Sequence, residues 1–223
     1  MDFIRILRSL EELLYELITW IVLYPRTLWR TAVSPLAMLR YSQREIADSP
    51  EEQYTETLSP VLFLMLTLAL SHSVEQSFVP SRTELHGLFG RLMSSEQNQL
   101  ITRSVAFAIF PLMYASLQLR REGQRLDRNT LRRPFFGQCF IAAFFALALG
   151  LSTTMIQLDR GWIPYLGAAG AVASVAWYVA VQARWLREEH HSGGWSAAGR
   201  SAWTFVKATA IVLIAALALS RLG

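Results

Sequence analysis

Pro134–Leu158 reads PFFGQCFIAAFFALALGLSTTMIQL, and no charged side chain interrupts it. A run of that length crosses about 30 Å of hydrocarbon as one α-helix. Working outward, Thr57–Val74 and Ser104–Leu119 precede it and Gly161–Ala183 follows, all uncharged. A fifth stretch, Ser201–Ser220, is broken only by Lys207. With their flanks these predict spans at about 59–79, 100–119, 134–158, 161–183 and 201–221. The expected fold class is therefore all-α: a polytopic membrane helical bundle of five transmembrane helices.

The arginines between the spans fall mostly on one side. Segments sharing a face with the N-terminus carry 6, 6 and 3 Lys/Arg, and those on the other face carry 2, 1 and 1. Basic loops are held on the cytoplasmic side during insertion, which predicts a cytoplasmic N-terminus and an external C-terminus. Composition agrees with a membrane protein: 52% hydrophobic, 17% charged and a positive mean hydropathy of +0.28. The net charge of +4 resides in those loops, so it reports topology and gives no reason to expect nucleic acid as a partner. The single cysteine, Cys139, lies in the third span and founds no disulfide framework. Arginine outnumbers lysine 20 to 1, a coding bias that points to a GC-rich bacterial genome and thus to a bacterial inner membrane.

Residues 1–41 form a separate region. Phe3, Ile4, Ile6, Leu7, Leu10, Leu13, Leu14 and Leu17 recur at helical spacing, with Arg5, Arg8, Glu11, Glu12 and Glu16 on much of the remainder. Six charges in the first 16 residues, counting Asp2, exclude a secretory signal. The expectation is an amphipathic helix in the cytoplasmic interface, with Trp20, Tyr24 and Trp29 at headgroup depth, broken at Pro25. Arg26–Tyr41 then forms a second surface helix. The rival reading makes residues 3–24 a sixth, tilted span. Residues 42–58 are an acidic cytoplasmic linker with Glu45, Asp48, Glu51, Glu52 and Glu56, and Ser49-Pro50-Glu51-Glu52 reads as a helix start. A solvated linker helix is the plain interpretation, and a docking surface for a partner the sharper one. Residues 59–223 are the five-span domain.

The connection Leu119–Arg133 holds Arg120, Arg121, Arg125, Arg128, Arg132 and Arg133. On the cytoplasmic face such a cluster sets topology and attracts anionic lipid headgroups, at about 1 kcal/mol per basic residue. The outer connection Pro80–Gln99 places Leu85, Leu88, Phe89 and Leu92 as a short amphipathic helix, with His86 as a surface residue.

Ionisable groups inside a span are costly and mark sites to examine. His72 and Glu75 share a helix face near the outer end of the first span, flanked by Ser71 and Ser73. Arg103 enters the second span from the same side, level with Glu75. A structural clasp between Glu75 and Arg103 is one reading. A proton- or ion-coupled site built from His72, Glu75 and Arg103, with Ser71 and Ser73 in support, is the other. Lys207 is placed to snorkel to the headgroups, and Pro111 marks a possible kink.

In the fourth span Gly167 with Ala171, and Gly170 with Ser174, give small-xxx-small spacing for close helix packing or homodimerisation. Trp162, Tyr165, Trp177, Tyr178, Trp185, Trp195 and Trp203 read mostly as an aromatic belt. His190 and His191 point about 100° apart on a helix and do not suit one metal. No phosphate loop, zinc spacing, nucleophile elbow or Cys–His arrangement occurs, so no catalytic residue, cofactor or metal is expected.

An N-terminal interfacial region, an acidic stretch ending at Ser59-Pro60, and five closely spaced spans together resemble the Yip-domain family of integral membrane proteins. The Asp-Leu and Gly-Tyr motifs of its eukaryotic members are not evident here. The resemblance implies membrane scaffolding, lipid organisation or assembly with a partner, and bacterial members are described as membrane proteins or permeases. The expected function is a non-enzymatic accessory or scaffold protein that organises a membrane complex or local lipid. The alternative is a small permease, as a monomer or a dimer, with proton or ion coupling through His72, Glu75 and Arg103. Expected partners are membrane lipids with anionic inner-face headgroups, and a membrane protein or a second copy.

Overall fold

A computed structural model of the chain describes residues 2–49, 52–79, 96–158, 160–190 and 193–221. Its helices are α1 (Asp2–Val33), α2 (Pro35–Glu45), α3 (Pro60–Phe78), α4 (Glu96–Arg121), α5 (Arg128–Gln157), α6 (Ile163–His190) and α7 (Gly194–Arg221), with no strand among the described residues. The last five are long and apolar enough to cross a membrane. The protein is thus an all-helical, multi-pass membrane bundle. The predicted outer helix and His86 lie outside the described residues, as do His191 and the side chain of His190.

The spans reach further into their charged flanks than the uncharged runs suggested. α5 begins at Arg128 because Asp127 caps it: the carboxylate accepts from the N–H groups of Asn129 (2.8 Å) and Thr130 (2.9 Å). The Thr130 hydroxyl in turn accepts from the Asp127 N–H at 3.1 Å, closing a capping box. Those backbone N–H groups hold the Asp127 carboxyl below the usual carboxylate range.

α5 is the central helix. It packs most extensively on α6 and α3, then on α4 and α2, while α7 is peripheral and leans on α6 and α4. In lipid no hydrophobic force drives helices together, so close packing and interhelical hydrogen bonds decide the arrangement. At one end small residues permit it. A Cβ on Gly167 of α6 would come within 2.7 Å of the Ser152 carbonyl oxygen and the Ile156 nitrogen of α5. Gly150 of α5 likewise lies against the Ser71 side chain of α3. Gly167 and Gly170 of α6 therefore pack on α5 inside the bundle, whereas Ala168, Ala169 and Ala173 are exposed. Through the middle runs an aromatic cluster: Phe145 stacks on Tyr178 (4.6 Å between centroids), and Phe110, Phe140 and Phe63 extend it. Tyr114 donates to the Ser201 carbonyl at 2.8 Å and Ser201 donates to the Val179 carbonyl at 2.9 Å, tying α4, α7 and α6.

Two expectations about the N-terminal region are corrected. α1 does not break at Pro25 but runs through it. The chain leaves the helix at Ser34, whose φ of −132° and ψ of 60° reflect the crowding that a following proline, Pro35, imposes. Around Pro25 the helix is held from both sides: Tyr24 lies on Phe63 (5.4 Å) and donates to Thr67, while Thr27 and Thr31 are fully buried. Nor does the second helix cover Arg26–Tyr41: it runs Pro35–Glu45, with Met38 and Leu39 seated on the bundle and Arg40 and Arg44 exposed on its other side. Of the aromatic residues assigned to a belt, Trp162, Tyr165, Trp195 and Trp203 are exposed, but Tyr178 and Trp185 are core residues.

The acidic linker is not a solvated helix. Pro50 and Glu51 lie outside the described residues, and residues 52–58 form turns folded back onto α2 and α5. Tyr54, at a left-handed φ of 58°, is buried against Phe140. Its N–H donates to the Glu45 carboxylate, and its hydroxyl lies 3.1 Å from that of Ser42. Burial pushes the Tyr54 phenol up to about 12. These contacts offset a backbone strain of about 1–2 kcal/mol. The segment closes the end of the bundle that carries the arginine-rich α4–α5 connection, the basic end.

Candidate functional site

At the end opposite the basic one, Arg103 of α4 and Glu75 of α3 form an ion pair at 2.6 Å. Glu75 stands about 22 Å along α3 by its helical rise. Both side chains are partly covered, at 32% and 22% exposure for Arg103 and Glu75, so each charge is shared between its partner and the surroundings. His72, one turn before Glu75, is buried, and its Nε2 lies 3.5 Å from the Gln76 amide nitrogen. Ser71 is buried at the α5 contact, facing Gly150. Ser73 is exposed, its hydroxyl donating to the Ala69 carbonyl of its own helix at 2.9 Å. The structure thus joins Glu75 to Arg103, sets His72 and Ser71 into the core, and turns Ser73 away.

A second polar constellation lies toward the basic end. Gln138 of α5 donates to Gln182 of α6 at 3.1 Å, and Gln182 donates back. Both amides are buried. Nearby, Trp185 Nε1 donates to Gln118 Oε1 at 3.4 Å, and Gln118 Nε2 donates to the Glu122 carboxylate at 3.0 Å. Glu122 opens into a polar pocket of about 290 Å³ shared with Arg133, Glu189 and Gln43. Neutral amides carry no charge to mark them in an apolar run, so this set does not stand out in the sequence as His72, Glu75 and Arg103 do. The signal was available: Gln138 and Gln182 stand about 15 and 12 Å from the same end of antiparallel helices, where neutral amides need partners.

Ion pairs also tie the basic end together. Arg40 of α2 pairs with Glu188 of α6, and Arg30 and Arg26 of α1 approach Glu56 at 3.4 and 3.8 Å. The six arginines of the α4–α5 connection are all exposed. They divide by direction: Arg133 lines the polar pocket, while Arg128 and Arg132 line an apolar groove between α4 and α5. Lys207 reaches one turn back to place its ammonium over Trp203, 5.4 Å from the ring centroid.

The N-terminal half of α1 extends away from these contacts. Leu7, Leu10, Leu14, Leu17 and Ile21 alternate by three and four residues, the spacing of a helix-pairing seam, and all are exposed. The polar face beside them holds Glu11, Glu12 and Glu16 against Arg8.

Comparison with protein-family models, with curated proteins and with solved structures finds no match.

Proposed function

We propose that this chain is a non-enzymatic accessory or scaffold protein of the cell membrane, anchored by its five spans and joined to a partner membrane protein through α1. The observation that carries this reading is the exposed apolar seam from Leu7 to Ile21, on a helix whose later half is locked to the bundle. Interfacial membrane helices carry Lys and Arg on their polar faces. Here Glu11, Glu12 and Glu16 outnumber Arg5 and Arg8 beside the seam, which suits a partner helix with basic flanks better than an anionic headgroup layer. The resemblance to Yip-domain proteins points the same way. We read the basic end as cytoplasmic from the distribution of arginines.

The aromatic cluster along the bundle axis also favours a scaffold over a carrier, because rings pack where a solute path would run. A small permease, as a monomer or a dimer, is the second reading and draws on the Glu75–Arg103 pair beside His72. Native-nanodisc purification with mass spectrometry separates the two. A stoichiometric membrane protein retained by the wild type and lost from Leu10→Glu/Leu14→Glu supports the scaffold. A lone chain whose solute transport collapses in Glu75→Gln, with the fold intact, supports the permease instead.

A further inference from the structure

We propose that the groove between α4 and α5 is a binding site for one anionic phospholipid, with its phosphate held by Arg128 and Arg132. The groove encloses about 630 Å³. Val105, Ala108 and Leu112 of α4 form one wall, Phe135 of α5 the other, and the two arginines stand at one end. Arg128 and Arg132 are four residues apart and share a face of α5. Phe135 and Phe136 occupy the next turn on that helix, so the wall changes from cationic to apolar along the membrane normal, the order of a headgroup above its acyl chains. On α4, Leu112 and Val105 stand about 13 and 24 Å from the Arg121 end, reaching past the roughly 15 Å hydrocarbon depth of one leaflet.

The charges at the rim are uncommitted. The ion pairs among the described residues engage Arg26, Arg30, Arg40 and Arg103, and none engages Arg128 or Arg132. Asp127, the adjacent carboxylate, is bound to the N–H groups of its own helix start. The Arg132 guanidinium carbon lies over the Phe136 ring, 5.4 Å from its centroid, which places the cation beside the apolar wall of the groove. A planar fork of donors suits phosphate oxygens. An apolar transmembrane helix seated here would leave both guanidinium groups without an anion. An anionic lipid satisfies groove and rim together. The inference is independent of the α1 reading and needs only that the five helices cross the membrane.

The test uses the full-length protein in neutral detergent, titrated with phosphatidylglycerol or with phosphatidylcholine of the same chains and read by native mass spectrometry. Wild type should retain one phosphatidylglycerol, and Arg128→Gln/Arg132→Gln should weaken retention on the order of 30-fold, about fivefold for each basic residue. Arg120→Gln/Arg121→Gln removes the same charge from the same end and should change retention by no more than a few fold. Ala108→Trp fills the trench with the rim intact and should also release the lipid. Millimolar inorganic phosphate should not displace it. Unchanged thermal midpoints establish that the variants are folded. Equal losses in the two double-arginine variants would reduce the effect to diffuse attraction and overturn the site. Displacement by free phosphate, no preference over phosphatidylcholine, or a cross-link from position 108 to another polypeptide in native membranes would overturn it as well.

Discussion

Gln138 and Gln182 satisfy each other: each amide nitrogen donates to the other's oxygen across the α5–α6 interface, with both side chains buried. Interhelical hydrogen bonds between polar side chains in membranes contribute roughly 0.6 to 1.7 kcal/mol. Gln138→Leu should therefore lower stability by about 1 kcal/mol and leave Gln182 without its partner. Gln138→Leu/Gln182→Leu should recover part of that loss, because both polar groups are then gone. Thermal unfolding in detergent checks it, and a double variant as unstable as the summed singles would contradict the pairing.

The Glu75–Arg103 ion pair gives a second cycle. Glu75→Gln and Arg103→Gln should each cost about 1.5 kcal/mol, the lower end of the roughly 1.5–3 kcal/mol range for a hydrogen bond to a charged group, because both side chains are partly exposed. Their double variant should cost less than the sum, since each single leaves one charge without its partner. Strict additivity in urea or thermal unfolding would show that the contact contributes nothing.

Glycine positions should respond according to what surrounds them. Gly167→Ala forces a methyl group to within 2.7 Å of α5 backbone and should cost about 1–3 kcal/mol by pushing two helices apart. Gly199→Ala in α7 meets nothing within 4 Å and should be neutral or stabilising by up to about 1 kcal/mol from helix propensity alone. Comparison of the two midpoints is the measurement.

Tyr54 supplies a pH dependence. Its phenol is raised from 10.0 to about 12 by burial, so the fold prefers the neutral form. That contribution is fully present below pH 10 and is lost as pH rises from 10 through about 12. Tyr54→Phe should remove this alkaline loss and cost about 1 kcal/mol at neutral pH through the Ser42 hydrogen bond. Stability curves at pH 8 and pH 11 read both effects.

The spans were legible because four uncharged runs and a fifth broken only by Lys207 have few other uses in a chain, and their helical state follows from the need to satisfy backbone groups in hydrocarbon. Glu75 and Arg103 were legible together for a related reason: a charge at that depth requires a partner, and helical rise puts them level. Residues 52–58 were misread because their burial rests on Tyr54, Thr57 and Leu58 alone, too few to set a period, against acidic neighbours that signal exposure. The prolines show the limit of local rules. Pro25 and Pro35 carry the same helix-breaking chemistry, yet tertiary contacts through Tyr24, Thr27 and Thr31 hold the helix through the first. Which helix stands at the centre was not readable from the runs, since it depends on how faces match between segments.

The central place of α5 also sets an order of events during translation. A chain is made from its N-terminus, so α3 and α4 leave the ribosome before the helix that both pack on most. Until α5 arrives, the two earlier spans are neighbours with little shared surface. The Glu75–Arg103 pair joins those two spans directly, so it is one contact between them that does not depend on α5.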